Sequence, residues 1–178
     1  MERYAALLRG INISGKNKVP MLDLKKGFEN IGFEDVKTYL NSGNVIFSGK
    51  DDIQKMTNKI EEMIKKQFEL DIPVFVITVK DLEDILSQAP DWWGNEDKEI
   101  YDNLIFIISP AVFADVLDEI GEPKEGLEKI QNYKNAIFWS FNRKEYQKTN
   151  WWPKTASACI GKKLTIRTAN TIKKIVGM

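Results

Sequence analysis

The spacing of apolar residues changes twice in the first eighty positions, and each change marks an element. Tyr4-Ala5-Ala6-Leu7-Leu8 is a continuous apolar run of strand length. A loop rich in Gly and Asn follows from Gly10 to Val19, and Pro20 suits the first turn of a helix, where its missing N–H costs nothing. Met21, Leu24, Phe28 and Ile31 recur at steps of three, four and three, which makes one helix face, and Gly32 suits its end. Val36–Leu40 and Val45–Phe47 are β-rich and are joined by the turn residues Asn41-Ser42-Gly43-Asn44. Asp51-Asp52 opens a second helix with negative charge at its positive dipole end, and Ile53, Met56, Ile60, Met63, Ile64 and Phe68 form its apolar face. Pro73–Val79 is the most strand-like run of the chain. The order β-α-β-β-α-β is that of a ferredoxin-like plait.

The second half repeats the order. A linking helix is expected over Lys80–Ala89 and a loop over Asp91–Asp102. Asn103–Ser109 reads as a strand, Pro110 to Ile120 as a helix, and Leu127–Tyr133 with Ala136–Phe141 as a hairpin around Lys134-Asn135. Pro153 interrupts the next stretch, so the helix there is placed over Thr155–Ile160 and ended by Gly161. Leu164-Thr165-Ile166 forms a last strand and Asn170–Val176 a last helix. The expected fold is α+β: two ferredoxin-like (βαββαβ) plaits, each an antiparallel sheet with helices on one face. The domains are 1–79, a linker over 80–102, and 103–178 with a C-terminal helix. No sequence repeat links the halves.

Composition narrows the chemistry. The 178 residues include no His and one Cys, Cys159. A Ser-His-Asp triad, a Cys-His pair, a His-containing zinc site and a Cys₄ site are therefore excluded within one chain. No metal site or cofactor is expected. A lone Cys, no cleavable leader pattern and no apolar run near the roughly 18 residues of a membrane span point to a cytoplasmic protein. Any acid–base catalysis would fall to Lys, Tyr, Asp or Glu.

Zero net charge conceals an uneven distribution. Residues 80–126 carry 3 basic and 13 acidic side chains, and residues 127–178 carry 11 basic and 2 acidic. The basic end also holds Tyr133, Phe138, Trp139, Phe141, Tyr146, Trp151 and Trp152, a mixture suited to stacking on bases and neutralising phosphates. The favoured reading is nevertheless that the acidic and basic stretches fold against each other and cancel.

Several motifs resemble those of a bacterial family called domain of unknown function 1697. They are Leu7-Leu8-Arg9-Gly10-Ile11-Asn12, Gly15-Lys16-Asn17-Lys18-Val19-Pro20-Met21, Thr38-Tyr39-Leu40-Asn41-Ser42-Gly43-Asn44-Val45 and the closing Thr165–Lys174. Ala169 stands where the family commonly has an aromatic. The resemblance implies paired ferredoxin-like units and a bacterial source, and it implies no activity.

Topology singles out one place. In this plait the first two strands run the same way and the third returns beside the first, so the loop leaving strand one meets the hairpin between strands two and three. Arg9, Gly10, Asn12, Gly15 and Lys16, with Lys18, should therefore lie beside Ser42, Gly43 and Asn44. Glycine amides, cationic side chains and the start of a helix suit a small anionic or phosphate-bearing ligand, such as a nucleotide. Arg9 and Lys16 would supply charge, and Asn12, Ser42 and Asn44 would orient. The Walker A spacing is absent. The leading expectation is a binding protein. The alternatives are a histidine-independent enzyme and a protein–protein adaptor, with nucleic acid open as a partner but not favoured, and with no membrane.

The remaining candidates favour structural roles. Trp151-Trp152 and Trp92-Trp93 read as core closure. Asp91, Glu96, Asp97, Glu99 and Asp102 read as a solvated loop lacking EF-hand spacing, and Cys159 as a small packed hydrophobe. Arg167 and Asn170 fit either added charge at a site or anchoring of the tail.

Overall fold

The computed structural model describes all residues, 1–178. The chain divides into two units, residues 1–83 with 175–178, and residues 84–174. The first unit runs β1 (Glu2–Leu8), α1 (Met21–Asn30), β2 (Glu34–Tyr39), β3 (Asn44–Gly49), α2 (Ile53–Phe68) and β4 (Val74–Thr78), and α3 (Val79–Ser87) follows. The second holds β5 (Ile100–Ile107), α4 (Phe113–Ile120), β6 (Glu128–Tyr133), β7 (Ala136–Asn142), α5 (Trp151–Ser157), β8 (Leu164–Thr168) and most of α6 (Ala169–Val176). The sheet orders are β2-β3-β1-β4 and β6-β7-β5-β8, antiparallel throughout. This is the expected pair of ferredoxin-like plaits.

In the first unit Tyr4, Ala6 and Leu8 of β1 share one core with Val45 and Phe47 of β3, Leu24 and Phe28 of α1, and Met56, Ile60 and Ile64 of α2. The period-2 and period-3.6 patterns thus meet on the helix-bearing face. Asp52 caps α2, its Oδ1 accepting from the Lys55 N–H at 2.9 Å. Gly27 lies where a side chain would collide with Met63 of α2, so the two helices approach closely there.

The second unit builds its last crossover differently from expectation. A 3₁₀ turn over Arg143–Lys148 leads into α5, and a second over Cys159–Lys163 follows it. The helix expected at Thr155–Ile160 lies four residues earlier and contains Pro153 in its first turn, where a missing N–H leaves no ladder bond unmade. Its start is held by a residue distant in sequence: the buried Glu128 carboxylate accepts from the N–H groups of Asn150 and Trp151. Likewise α4 begins at Phe113 rather than Pro110, because Ile108–Ala111 closes as a turn first. Trp151 is fully buried in a core with Ile105, Ile137, Trp139, Val116 and Ile120.

The acidic and basic stretches fall largely into the same unit, and residues 84–174 carry 13 basic and 13 acidic side chains. Within that unit Asp84 pairs with the Lys134 ammonium at 2.7 Å, fifty residues along the chain, and the Tyr133 hydroxyl donates to the same oxygen at 2.9 Å. These bonds, Lys134 first, hold the Asp84 carboxyl below its ordinary range. A carboxyl lowered by folding stabilises the fold above its unfolded pKa and loses that contribution as pH falls through the folded one. In a carboxyl ¹³C titration Asp84 should change state at lower pH than an ordinary aspartate. Lys134→Ala should move its midpoint upward, and Tyr133→Phe should move it by less. An unmoved midpoint in Lys134→Ala would show that the pair does not form.

Candidate functional site

The two ladders flanking β1 continue past its end. The Leu8 N–H donates to the Gly43 carbonyl at 2.9 Å and the Arg9 N–H to the Pro73 carbonyl at 3.0 Å. The chain then turns away through Gly10 at φ +70° and Asn12 at φ +52°. Ile13 and Lys16 exchange backbone bonds of 3.2 and 2.8 Å around Ser14 and Gly15, both at positive φ. That is a two-residue hairpin turn, and Gly15 suits it because it carries no Cβ.

Asn12 ties this loop to its surroundings. Its Nδ2 donates to the carbonyls of Val19 at 3.0 Å and Asn41 at 2.8 Å, and its Oδ1 accepts from the Val19 N–H at 2.8 Å. Asn17 Nδ2 donates to the Gly10 carbonyl at 2.9 Å. Across the junction, Asn44 is fully buried, and its Nδ2 donates to the Tyr39 carbonyl at 2.7 Å and Ser42 Oγ at 3.0 Å. Gly43 stands at φ +90°, where an added Cβ would fall 2.8 Å from Leu8 Cβ and Ile11 Cδ1. The loop and the hairpin therefore meet, as topology requires. Sequence reasoning passed over Asn17 and the Asn41 carbonyl, whose partners are set only by the folded loops.

What remains for chemistry is cationic and backbone. Asn12, Gly15, Lys18, Val19, Pro20 and Asn41 line a cleft of about 370 Å³. Lys16 and Lys18 are exposed and join no ion pair, and Arg9 is half-buried. Helix α1 starts beside the cleft after Pro20 with no side-chain cap, so its first N–H groups carry the positive end of the dipole unopposed by a capping oxygen. Asp23 in its first turn is the opposing charge. The cleft is shallow, and its surroundings are cationic.

A family model, a protein of unknown function (DUF1697), matches residues 1–138. The chain belongs to the DUF1697 family. A solved structure, the conserved bacterial protein SP0830 from Streptococcus pneumoniae, is 29% identical with a TM-score of 0.87 over 99% of this chain and 97% of that one. The duplicated architecture is thus shared to the C-terminus, beyond the residues that the family model matches. An unknown protein from Galdieria sulphuraria is 11% identical with a TM-score of 0.25 over 94% of this chain and 96% of that one. No curated protein matches the chain.

The other candidates of this DUF1697 protein sort themselves by burial. Trp93 is buried edge-on to Phe138 and donates its indole N–H to the Asn103 carbonyl at 2.7 Å. Trp152 is 39% exposed but packs on Trp139, Phe141 and Tyr146, closing the core that Trp151 fills. Cys159 is exposed, not packed as expected, because it begins the second 3₁₀ turn instead of lying within a helix. Arg167 is buried and donates to Thr165 Oγ1 and the Ile166 carbonyl, both at 2.9 Å, and burial pushes its guanidinium down to about 10.

Two substitutions separate scaffold from ligand chemistry. Gly43→Ala adds left-handed strain and a clash with Leu8 and Ile11, so it should cost about 2–4 kcal/mol in urea unfolding. Asn12→Ala removes three bonds and should cost about 1.5–3 kcal/mol. A loss well below 1 kcal/mol from either would mean that the loop is not clamped in this way.

Proposed function

We propose that the first unit binds a small phosphate-bearing anion at the junction of the 9–18 loop and the 41–44 hairpin. The observation that carries this reading is the cleft at the uncapped start of α1, lined by Gly15 and Lys18, with three cationic and no acidic side chains in residues 9–20. Lys16 and Lys18 supply mobile charge, Arg9 charge at the strand end, and the backbone around Gly10, Gly15 and Gly43 the close approach. Asn12, Ser42 and Asn44 act by holding the two loops in register. Each unit has 13 basic and 13 acidic side chains, which supports a local site for a small ligand over a surface for an anionic polymer.

Inorganic pyrophosphate is a suitable probe. Titrated at low salt, it should shift the amide resonances of Gly15, Lys18 and Met21 and raise the melting temperature. Lys18→Ala should weaken binding by about tenfold, the value of one charge-assisted contact, while leaving the ligand-free melting temperature unchanged. Added salt should weaken it further. Resonance shifts scattered over surface lysines, or an unaltered affinity in Lys18→Ala, would refute the site.

A further inference from the structure

In the second unit, residues 91–99 are pinned over one face of the sheet. Trp93 packs edge-on to Phe138 with ring centres 4.9 Å apart, and the Lys173 ammonium donates to the Gly94 carbonyl. The segment rejoins the sheet where the Ile100 N–H donates to the Asp97 carbonyl at 3.2 Å. Phe138 pairs with Leu104 and Ser140 with Asp102, so Asp102 lies one step further along the face that Trp93 covers. Ile105, Trp139 and Phe141 meet the helices on the opposite face.

A cavity of about 540 Å³, in the range of small-molecule sites, is bordered by both this segment and the sheet. Asp102 is one of its walls and is only 9% exposed. Its Oδ1 accepts from the Ser140 hydroxyl, and its Oδ2 accepts from no group of the protein. Every fully buried polar side-chain atom of the chain has a partner, so this oxygen must reach open space next to Asp102. A carboxylate so far removed from water gains much from a cationic donor. Ser140 borders the same cavity, and a hydroxyl that donates to a carboxylate still has lone pairs to offer.

The other walls fit an organic cation. Trp92, Ile100 and Leu127 border the cavity and are half-buried. Its charged walls are Asp97, Asp102, Glu128 and Glu145 against Lys129 alone. Glu128 is filled by its N–H donors, while Lys129 is exposed and stands beside Ser140 on the next strand. The Arg143 guanidinium lies 4.6 Å from the centre of the Tyr101 ring, on the face away from Asp102. Acidic walls around a buried carboxylate concentrate positive charge.

We propose that this cavity binds a small primary amine with an apolar body. Asp102 Oδ2 accepts from the ammonium, Ser140 Oγ accepts a second N–H, and Trp92, Ile100 and Leu127 surround the body.

Titration of the full chain with benzylamine, and with benzyl alcohol as its neutral counterpart, tests this. Benzylamine should saturate at millimolar concentration or below, and benzyl alcohol should bind at least about tenfold more weakly, since it lacks the charged contact. Asp102→Asn keeps an oxygen for Ser140 and should remove that preference, whereas Trp92→Ala should weaken both probes. In the unaltered protein, nuclear Overhauser contacts should join the benzylamine ring to the Trp92 indole, a result that stands if Asp102→Asn fails to fold. The proposal falls if benzylamine does not saturate, if the two probes bind equally, if the preference survives in Asp102→Asn, or if the ring contacts lie elsewhere.

Discussion

The register of β1 determines where the chemistry of the first unit can lie. This strand is hydrogen-bonded on both edges, to β3 and to β4, and a slip of one residue would exchange Tyr4, Ala6 and Leu8 for Ala5 and Leu7 on the helix-bearing face. Because the ladder continues through Leu8 to Gly43 and through Arg9 to Pro73, that register also fixes the exit of the following loop. Ile11 is then drawn into the core against Gly43, the one place where the hairpin has no side chain to obstruct it. Packing of the sheet, the choice of glycine in the turn and the position of the cleft are consequences of one alignment.

In the second unit a comparable share of the order depends on Glu128. Its buried carboxylate accepts from the Trp139 indole at 3.1 Å, the Lys124 N–H at 3.0 Å, and the N–H groups of Asn150 and Trp151. A buried carboxylate is costly unless its lone pairs are filled, and four donors from three separate segments fill them. The same bonds join β6 to β7 and seat the start of α5, so Trp151 enters the core at a defined angle. The acid therefore does for this crossover what a local capping residue does for α2.

The contrast between those two caps explains what was legible in the sequence. Asp52 stands three residues before the N–H that it accepts, and the α2 start was read correctly from Asp51-Asp52. Glu128 lies 22 and 23 residues before its helical partners, so local sequence makes Pro153 look like a break when it occupies a first turn. The strand order and the meeting of loop and hairpin were readable because period and connection handedness determine them. The employment of individual donors was not, because Asn12 and Asn44 bond to carbonyls at Asn41 and Tyr39 that only the folded turns present. Donor-rich loops show where polar groups gather, not which of them the protein has already satisfied.

That difference bears on how the proposed site of the first unit would select a ligand. In the first unit the shape is set by amide side chains bonded to backbone, while the charge resides on exposed lysines whose long stems are free to adjust. A flexible ammonium attracts many anions and imposes little geometry, so discrimination at the proposed site would rest on the backbone amides near Gly15 and the start of α1. In the second unit the charged groups themselves are held, Asp102 by Ser140 and Arg143 by the Tyr101 ring. Groups held in this way lose little freedom in any further contact that they make. Duplication of one fold has thus left exposed, adjustable cations beside the cleft of one unit and individually held charged groups in the other.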